Sequence, residues 1–548
     1  MVGRSLRVGG TLRRLLVLAS SALLIGMLVG SNASTAATPP HTRQSIAQHI
    51  LKTRAAKIAT ASARLALEAT ARGERTEAAL RRDTSLKANK PAGGEGENND
   101  RGLANVRVND PSADGHQVDQ TTQSETTIAV SGTKVVVGFN DSQQSLQPFL
   151  TAGSNLTAYA YSSNGGSTWT DGGTIPNRQS FINLGDPWLG ADRAGNFYYS
   201  TLTIDGFTGN LHVGVAKSTN GGATFSVPVI ASPTDGFFYF GDKDALAVGP
   251  DPVTKSRDNI YIAWDDMACD AVSCFNGLPV ARSTDGGASY QITYADKFVA
   301  SDTSCSFVQY IGAMPLVDAR NGTLYVAAER FNVNDPLCDG TGTVTIDESI
   351  FKSTDGGQTF GSRVQIATIN PAFDFGYMEL GPGLIVRTIE FPVLALLGNN
   401  LFAAWNEGSS GHSHIRLAKS TNGGGTWTSS WATNGSNDEI QPALSSDGAG
   451  LHLLYYRRNS NNTLDTVVRN SSNGSNFSSR TVTTTSFPGV LTLPQFDPVI
   501  AFGYMGDYIA NVSDGSRQYF AWGDNRDRVT NFLWPQGRND PNVYFARQ

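Results

Sequence analysis

Acidic side chains recur at fixed places in this chain, beside short apolar runs. The pair Gly-Asp stands just ahead of such a run at 185–186, 241–242 and 506–507. Glu125, Asp244 and Glu390 occupy comparable places, and Asp141, Asp265, Asp266, Glu329, Glu407 and Asp524 follow the next run along. Two carboxyl groups, one a general acid with a raised pKa and the other a base or nucleophile, are what glycoside hydrolysis requires. Crowded acids supply the raised pKa through like-charge repulsion. On that chemistry Asp186 and Glu390 are the catalytic candidates, with Tyr504 and Arg457 placed to position a substrate. Several hard oxygen donors also suit Ca²⁺, and Asp242 and Asp244 with Asp265 or Asp266 are the best local set. A plainer reading stands beside both: Asp at a strand end caps loop amides, and repeated units inherit it by duplication.

The elements that would hold these side chains are announced by a repeated turn. Ser162-Ser-Asn-Gly-Gly-Ser-Thr-Trp169 is followed by kindred octets at 218–225, 283–290, 353–360 and 420–427 and by a shortened one at 471–477. Asp or Asn bonds amides within the turn, the glycines permit positive φ, and the closing aromatic packs beneath a hairpin. Apolar runs such as Val135–Phe139, Ile260–Trp264 and Leu401–Trp405 precede the turns, with a weaker run upstream and a third ending in Lys217, Arg282, Lys352 or Lys419. Each unit thus has four short strands, and radial repeats of four-stranded sheets are propeller blades. The last unit, Asp507 to Arg547, lacks a fourth strand, and Asn105–Asn109 is an unassigned strand ahead of the first. The reading is an all-β, seven-bladed β-propeller whose last blade is closed by the N-terminal strand, with six blades as the fallback.

These turns resemble the Asp-box, or BNR, repeats of the sialidase superfamily, over about residues 104–548. The resemblance implies a propeller in which the boxes are structural and lie opposite the ligand face. It also implies an activity on, or binding of, an extracellular glycan; such propellers include sialidases, other glycosidases, polysaccharide lyases and non-catalytic modules. Sialidases carry an arginine in a Phe/Tyr-Arg-Ile-Pro segment before the first box. Here Thr174-Ile-Pro176 follows the first box without a preceding Arg, so no carboxylate-binding arginine is carried over. A glycoside hydrolase and a carbohydrate- or protein-binding cell-surface propeller both remain open.

Residues 1–37 read as a secretory signal, with Arg4, Arg7, Arg13 and Arg14 ahead of an apolar stretch from Leu15 to Gly30. Residues 38–103 read as a helical propeptide or linker and 104–548 as the propeller, secreted, monomeric and without a membrane span after cleavage. The first 103 residues hold 16 of the 42 Lys+Arg and 7 of the 48 Asp+Glu. The body therefore carries 26 basic against 41 acidic residues, which argues against a nucleic-acid partner. Cys269, Cys274, Cys305 and Cys338 are an even set in an exported chain. Pairing 269–274 with 305–338 is the local choice among three. No His-Glu-x-x-His, Gly-x-Ser-x-Gly, phosphate loop or dinucleotide fingerprint is present, and His412 and His414 fall in a Gly/Ser-rich stretch expected to be an exposed loop. Trp188, Trp264, Trp405 and Trp522 read as core between blades, whereas Phe237–Phe240 is a loop run suited to stacking on sugar or to burial.

Overall fold

The computed structural model describes residues 48, 91–92, 103–113, 122–144, 153–270, 273–300, 306–334, 343–373, 376–381, 384–489, 505–530 and 535–548. The signal sequence, Tyr504, Cys305 and Cys338 lie outside them. Apart from Gln48 and two single 3-10 turns, the described regular structure is β.

Four-stranded antiparallel meanders follow one another along the chain. The first comprises Gln123–Ser131, Lys134–Asp141, Thr157–Ser162 and Trp169–Thr174. Later ones include Phe307–Val317, Leu324–Asn334, Thr343–Ser353 and Val364–Thr368, and Val393–Leu397, Asn400–Ser409, His412–Ser420 and Thr428–Trp431. The units over 181–230 and 238–300 are joined into one sheet by a single parallel bridge, Phe240 to Leu211. In the last unit Val106–Arg107 pairs with Arg538–Arg547, Val106 opposite Phe545. The strand before the first unit thus supplies the edge missing from the last. Pro91–Ala92, expected within a flexible linker, pairs instead with Thr170 and Trp169; the outer strand of the first unit offers an open row of backbone groups.

The apolar core is divided into clusters lying between consecutive units. Tyr261 and Val280 pack with Leu324 and Phe351 of the next unit, and Tyr325 and Ile350 pack with Leu401 and Ala418 of the one after. Ile128, Val137 and Phe139 of the first unit share a cluster with Tyr519, Ala521 and Phe545 of the last. Thr126 Oγ1 also donates to the Ala521 carbonyl at 2.7 Å. Trp264, Trp405 and Trp522 are fully buried between units, as their repeated positions imply.

The repeated turn is built as its residue types require. Ser283 Oγ donates to Asp285 Oδ1 at 2.7 Å and accepts from the Gly287 amide at 2.8 Å. Asp285 also accepts from the amides of Ala288 and Ser289. Gly287 has φ +88° and lies over the ring of Tyr198 in the preceding unit. The basic residue ending the third strand reaches forward as well. Lys217 Nζ donates to the Gly286 carbonyl at 3.0 Å, Arg282 Nη1 to that of Gly356 at 3.3 Å, and Arg547, at the end of the chain, to that of Gly165 in the first turn. These three residues therefore each tie one unit to the next unit's turn.

Candidate functional site

The first strand of each unit faces a shared axial cavity of about 200 Å³. Its polar end is set by Lys243, Gln441 and Asp507, and its wall by residues such as Leu189, Met314 and Leu394. The first strands reach this end through β-bulges, between Ser124 and Thr127, Gly185 and Trp188, Asp242 and Ala245, Ile311 and Met314, and Ile440 and Ala443. A bulge breaks the strict in-out alternation of a strand and re-aims one side chain. At four of these bulges the left-handed residue is not glycine: Glu125 (φ 51°), Asp186 (φ 54°), Lys243 (φ 47°) and Gln441 (φ 51°). That conformation costs a non-glycine residue about 1–3 kcal/mol and persists where surrounding structure holds it.

The holding bonds are visible. Asn140 Nδ2 donates to Glu125 Oε2 at 2.8 Å, and Asn140 Oδ1 accepts from the Asp186 amide at 2.9 Å. Glu125 Oε1 accepts from the Asp507 amide at 3.2 Å. Gln441 Nε2 donates to the carbonyls of Gly506 at 2.6 Å and Arg387 at 3.1 Å. Arg387 Nε pairs with Asp507 Oδ1 at 3.1 Å. The Lys243 ammonium lies 3.9 Å from the ring centre of Tyr508, 5.0 Å from Trp188 and 5.4 Å from Phe391, a cation–π enclosure. Trp188 thus faces the cavity, unlike the other three strand tryptophans.

Burial dominates the titration of these acids, because a carboxylate removed from water is disfavoured. Burial, then the nearby Asp507, pushes Glu125 up to about 8. Burial raises Asp186 well above the usual carboxylate range, with Glu125, Asp242 and Asp244 adding to it. Asp244 is pushed to about 7, and Asp265 well above its ordinary value, again chiefly by burial. Neither oxygen of Asp186 has a hydrogen-bond partner. Burial thus favours the protonated form of these acids, the form a general acid needs.

Of the sequence candidates, Tyr504 lies outside the described residues and the others have definite places. Asp186 is buried at the bulge whose Trp188 lines the cavity. Glu390 is buried beside Glu348, where Glu329, Asp347 and Glu407 also converge; burial, then Glu329, raises Glu348 well above its ordinary value. Asp242 and Asp265 face each other across a strand pair, and Asp242 Oδ1 accepts from the Lys243 amide at 2.8 Å. Among the described residues no group of three or more His, Cys, Asp or Glu side chains is disposed to hold a metal ion. Arg457 pairs with Asp465 at 3.3 Å and lies opposite Glu439. Asp266 accepts from Tyr294 at 2.6 Å and Tyr239 at 3.0 Å and is raised by burial to about 6.

The reading of His412 and His414 as an exposed loop is corrected, and the aromatic run takes the second of its two readings. His412–Ser420 is a strand, because Ser410 and Gly411 form a tight turn ahead of it. His414 is therefore buried, its Nδ1 2.6 Å from Glu439 Oε2, and His412 bonds Asp438 at 3.2 Å. In the aromatic run, Phe238, Tyr239 and Phe240 are buried by the long first strand, and only Phe237 is exposed. Cys269 and Cys274 are disulfide-bonded across a hairpin, as expected. Sequence reasoning missed Lys243, Asn140 and Glu348. Lys243 carried a signal, since it stands between two of the acids already singled out.

No family model matches the sequence, and no curated protein matches it. Solved structures with a similar chain path include an α-L-arabinanase of Penicillium chrysogenum in complex with arabinobiose, at 13% identity over 65% of this chain and 92% of that one, with a TM-score of 0.40. A polysaccharide lyase of family PL25, an ulvan lyase, shares 9% identity over 78% of this chain and 94% of its own, with a TM-score of 0.48. The Trypanosoma rangeli sialidase in complex with sialic acid shares 12% identity over 84% and 59%, with a TM-score of 0.36.

Proposed function

We propose that the chain is a secreted seven-bladed Asp-box propeller that acts on or binds an extracellular glycan. The four-stranded meanders, the clusters between consecutive units and the shared edge of the first and last units support the blade count. The functional reading is carried by one observation: buried acids are held on strained backbone at the bulges where first strands meet the axis. Residues kept in sparsely populated backbone conformations concentrate at functional sites. In a hydrolytic reaction Asp186, protonated by its surroundings, would donate to the glycosidic oxygen, and a second carboxyl, Glu390 or its neighbour Glu348, would act as base or nucleophile. Residues 1–37 serve as the export leader in this reading, and 38–103 precede the folded body.

The test is hydrolysis and binding of an array of polysaccharides by the purified body and its Asp186→Asn and Glu390→Gln variants. Catalysis predicts that turnover falls by about 10²- to 10⁴-fold while glycan binding stays within a few fold. Binding without turnover in the parent would assign a non-catalytic module. Neither binding nor turnover would defeat the glycan reading.

A further inference from the structure

The charge balance at the axis limits which glycan this site accepts. Six carboxyl groups (Glu125, Asp186, Asp242, Asp244, Asp265 and Asp507) share it with two cations, Lys243 and Arg387. Both cations are engaged, Arg387 with Asp507 and Lys243 among the aromatic rings. Arginines on the neighbouring strand ends are engaged too: Arg330 with Asp347 at 3.2 Å, Arg458 with Asp438 at 3.1 Å and Arg526 with Asp524 at 2.6 Å. Asp186, wholly buried, has both oxygens without a hydrogen-bond partner, and its charge neighbours are three acids, Glu125, Asp242 and Asp244, against one cation, Lys243. That carboxyl is an open acceptor, or a donor when protonated, within the acid cluster.

Recognition of a sugar carboxylate or sulfate calls for a cation whose charge is not already taken, most often an arginine offering two parallel N–H bonds. The cluster offers the opposite. Its acids are pushed toward holding protons chiefly by burial, with like-charged neighbours adding to the shift, and an anionic ligand would add to that repulsion. Sugar hydroxyls, which both donate and accept, match a carboxyl in either protonation state. We infer that the ligand of the axial acid cluster is an uncharged glycan and that sialylated, uronate and sulfated glycans are rejected. This inference rests on the glycan reading above.

A binding panel separates the two. The full chain is presented with neutral polysaccharides (arabinan, galactan, xyloglucan), anionic ones (polysialate, polygalacturonate, a sulfated galactan) and a cationic one (chitosan), each at low and high salt. Binding to at least one neutral glycan, unchanged by salt and roughly tenfold or more tighter than to any charged one, is the expected result. Preferred binding of an anionic glycan or of chitosan would overturn the charge inference and leave the glycan reading standing. Binding to none would overturn both.

Discussion

Glu125 and Asp186 show how far a residue's surroundings can set its chemistry. Their raised proton affinities make a prediction about stability. A buried acid with a raised folded-state pKa contributes stability fully below its unfolded value near 4, roughly, and that contribution is lost as pH rises through the folded value. For Glu125 and Asp244 the loss extends to about 8 and about 7. The turn acids Asp285 and Asp355 run the other way. Each is lowered to about 2: burial opposes the shift, but the hydrogen bonds to Ser289 and Thr359 outweigh it. Their contribution is lost only as pH falls from about 4 toward 2. The thermal midpoint should therefore peak in mildly acidic buffer and decline toward pH 8–9, and Glu125→Gln should flatten the alkaline decline. A midpoint that rises from pH 5 to 8 would contradict the assignment. Asp186 was legible in the sequence because Gly-Asp recurs before an apolar run. The left-handed backbone of Glu125, Lys243 and Gln441 was not, since none of these residue types signals positive φ. Gly312 carries that mark at the equivalent bulge of its unit, but it lacks a functional group.

At the scale of the element, the repeated turn is a joint between units as well as a hairpin. Its Asp or Asn accepts amides within the turn, and its glycine carbonyl receives the basic residue of the preceding unit. Position 355 separates the two chemistries. Asp355→Asn should be nearly neutral, because Asn164, Asn220 and Asn422 do the same work elsewhere. Asp355→Ala should cost about 0.5–1.5 kcal/mol by removing the acceptor of the partly buried Ser353 hydroxyl and of the exposed Gln358 and Thr359 amides, measured by denaturant unfolding. Equal losses in the two variants would show that charge rather than acceptor geometry matters. The strands were readable from alternation and the turns from Gly-Gly. The lengths of the second-to-third-strand hairpins were not, which is why His414 was misplaced. A local Gly/Ser composition marks a turn at Ser410-Gly411 but does not say that a buried strand resumes two residues later.

Across the whole molecule, the order of units follows from the sequence repeat, and the edge left open after Arg547 pointed to Val106–Arg107 as its partner. The chemistry at the centre was less legible, because it is assembled from residues hundreds of positions apart, as with the Asp507 amide on Glu125, 382 residues away. Removing residues up to 102 should leave a folded body, whereas removing those up to 110 should lower the thermal midpoint sharply and expose the last unit to protease. Equal stability of the two truncations would show that the Val106–Arg107 pairing is dispensable. The same pairing has a consequence for biosynthesis. The Val543 amide meets Asn109 across 434 residues, so the ring can be fastened only after the segment around Val543 has left the ribosome. Early units can fold as they emerge, but the clasp waits for that last strand. A chain cut short before Arg538 would be left with an exposed sheet edge on each side of the gap, the kind of surface that quality-control proteases and aggregation both seek.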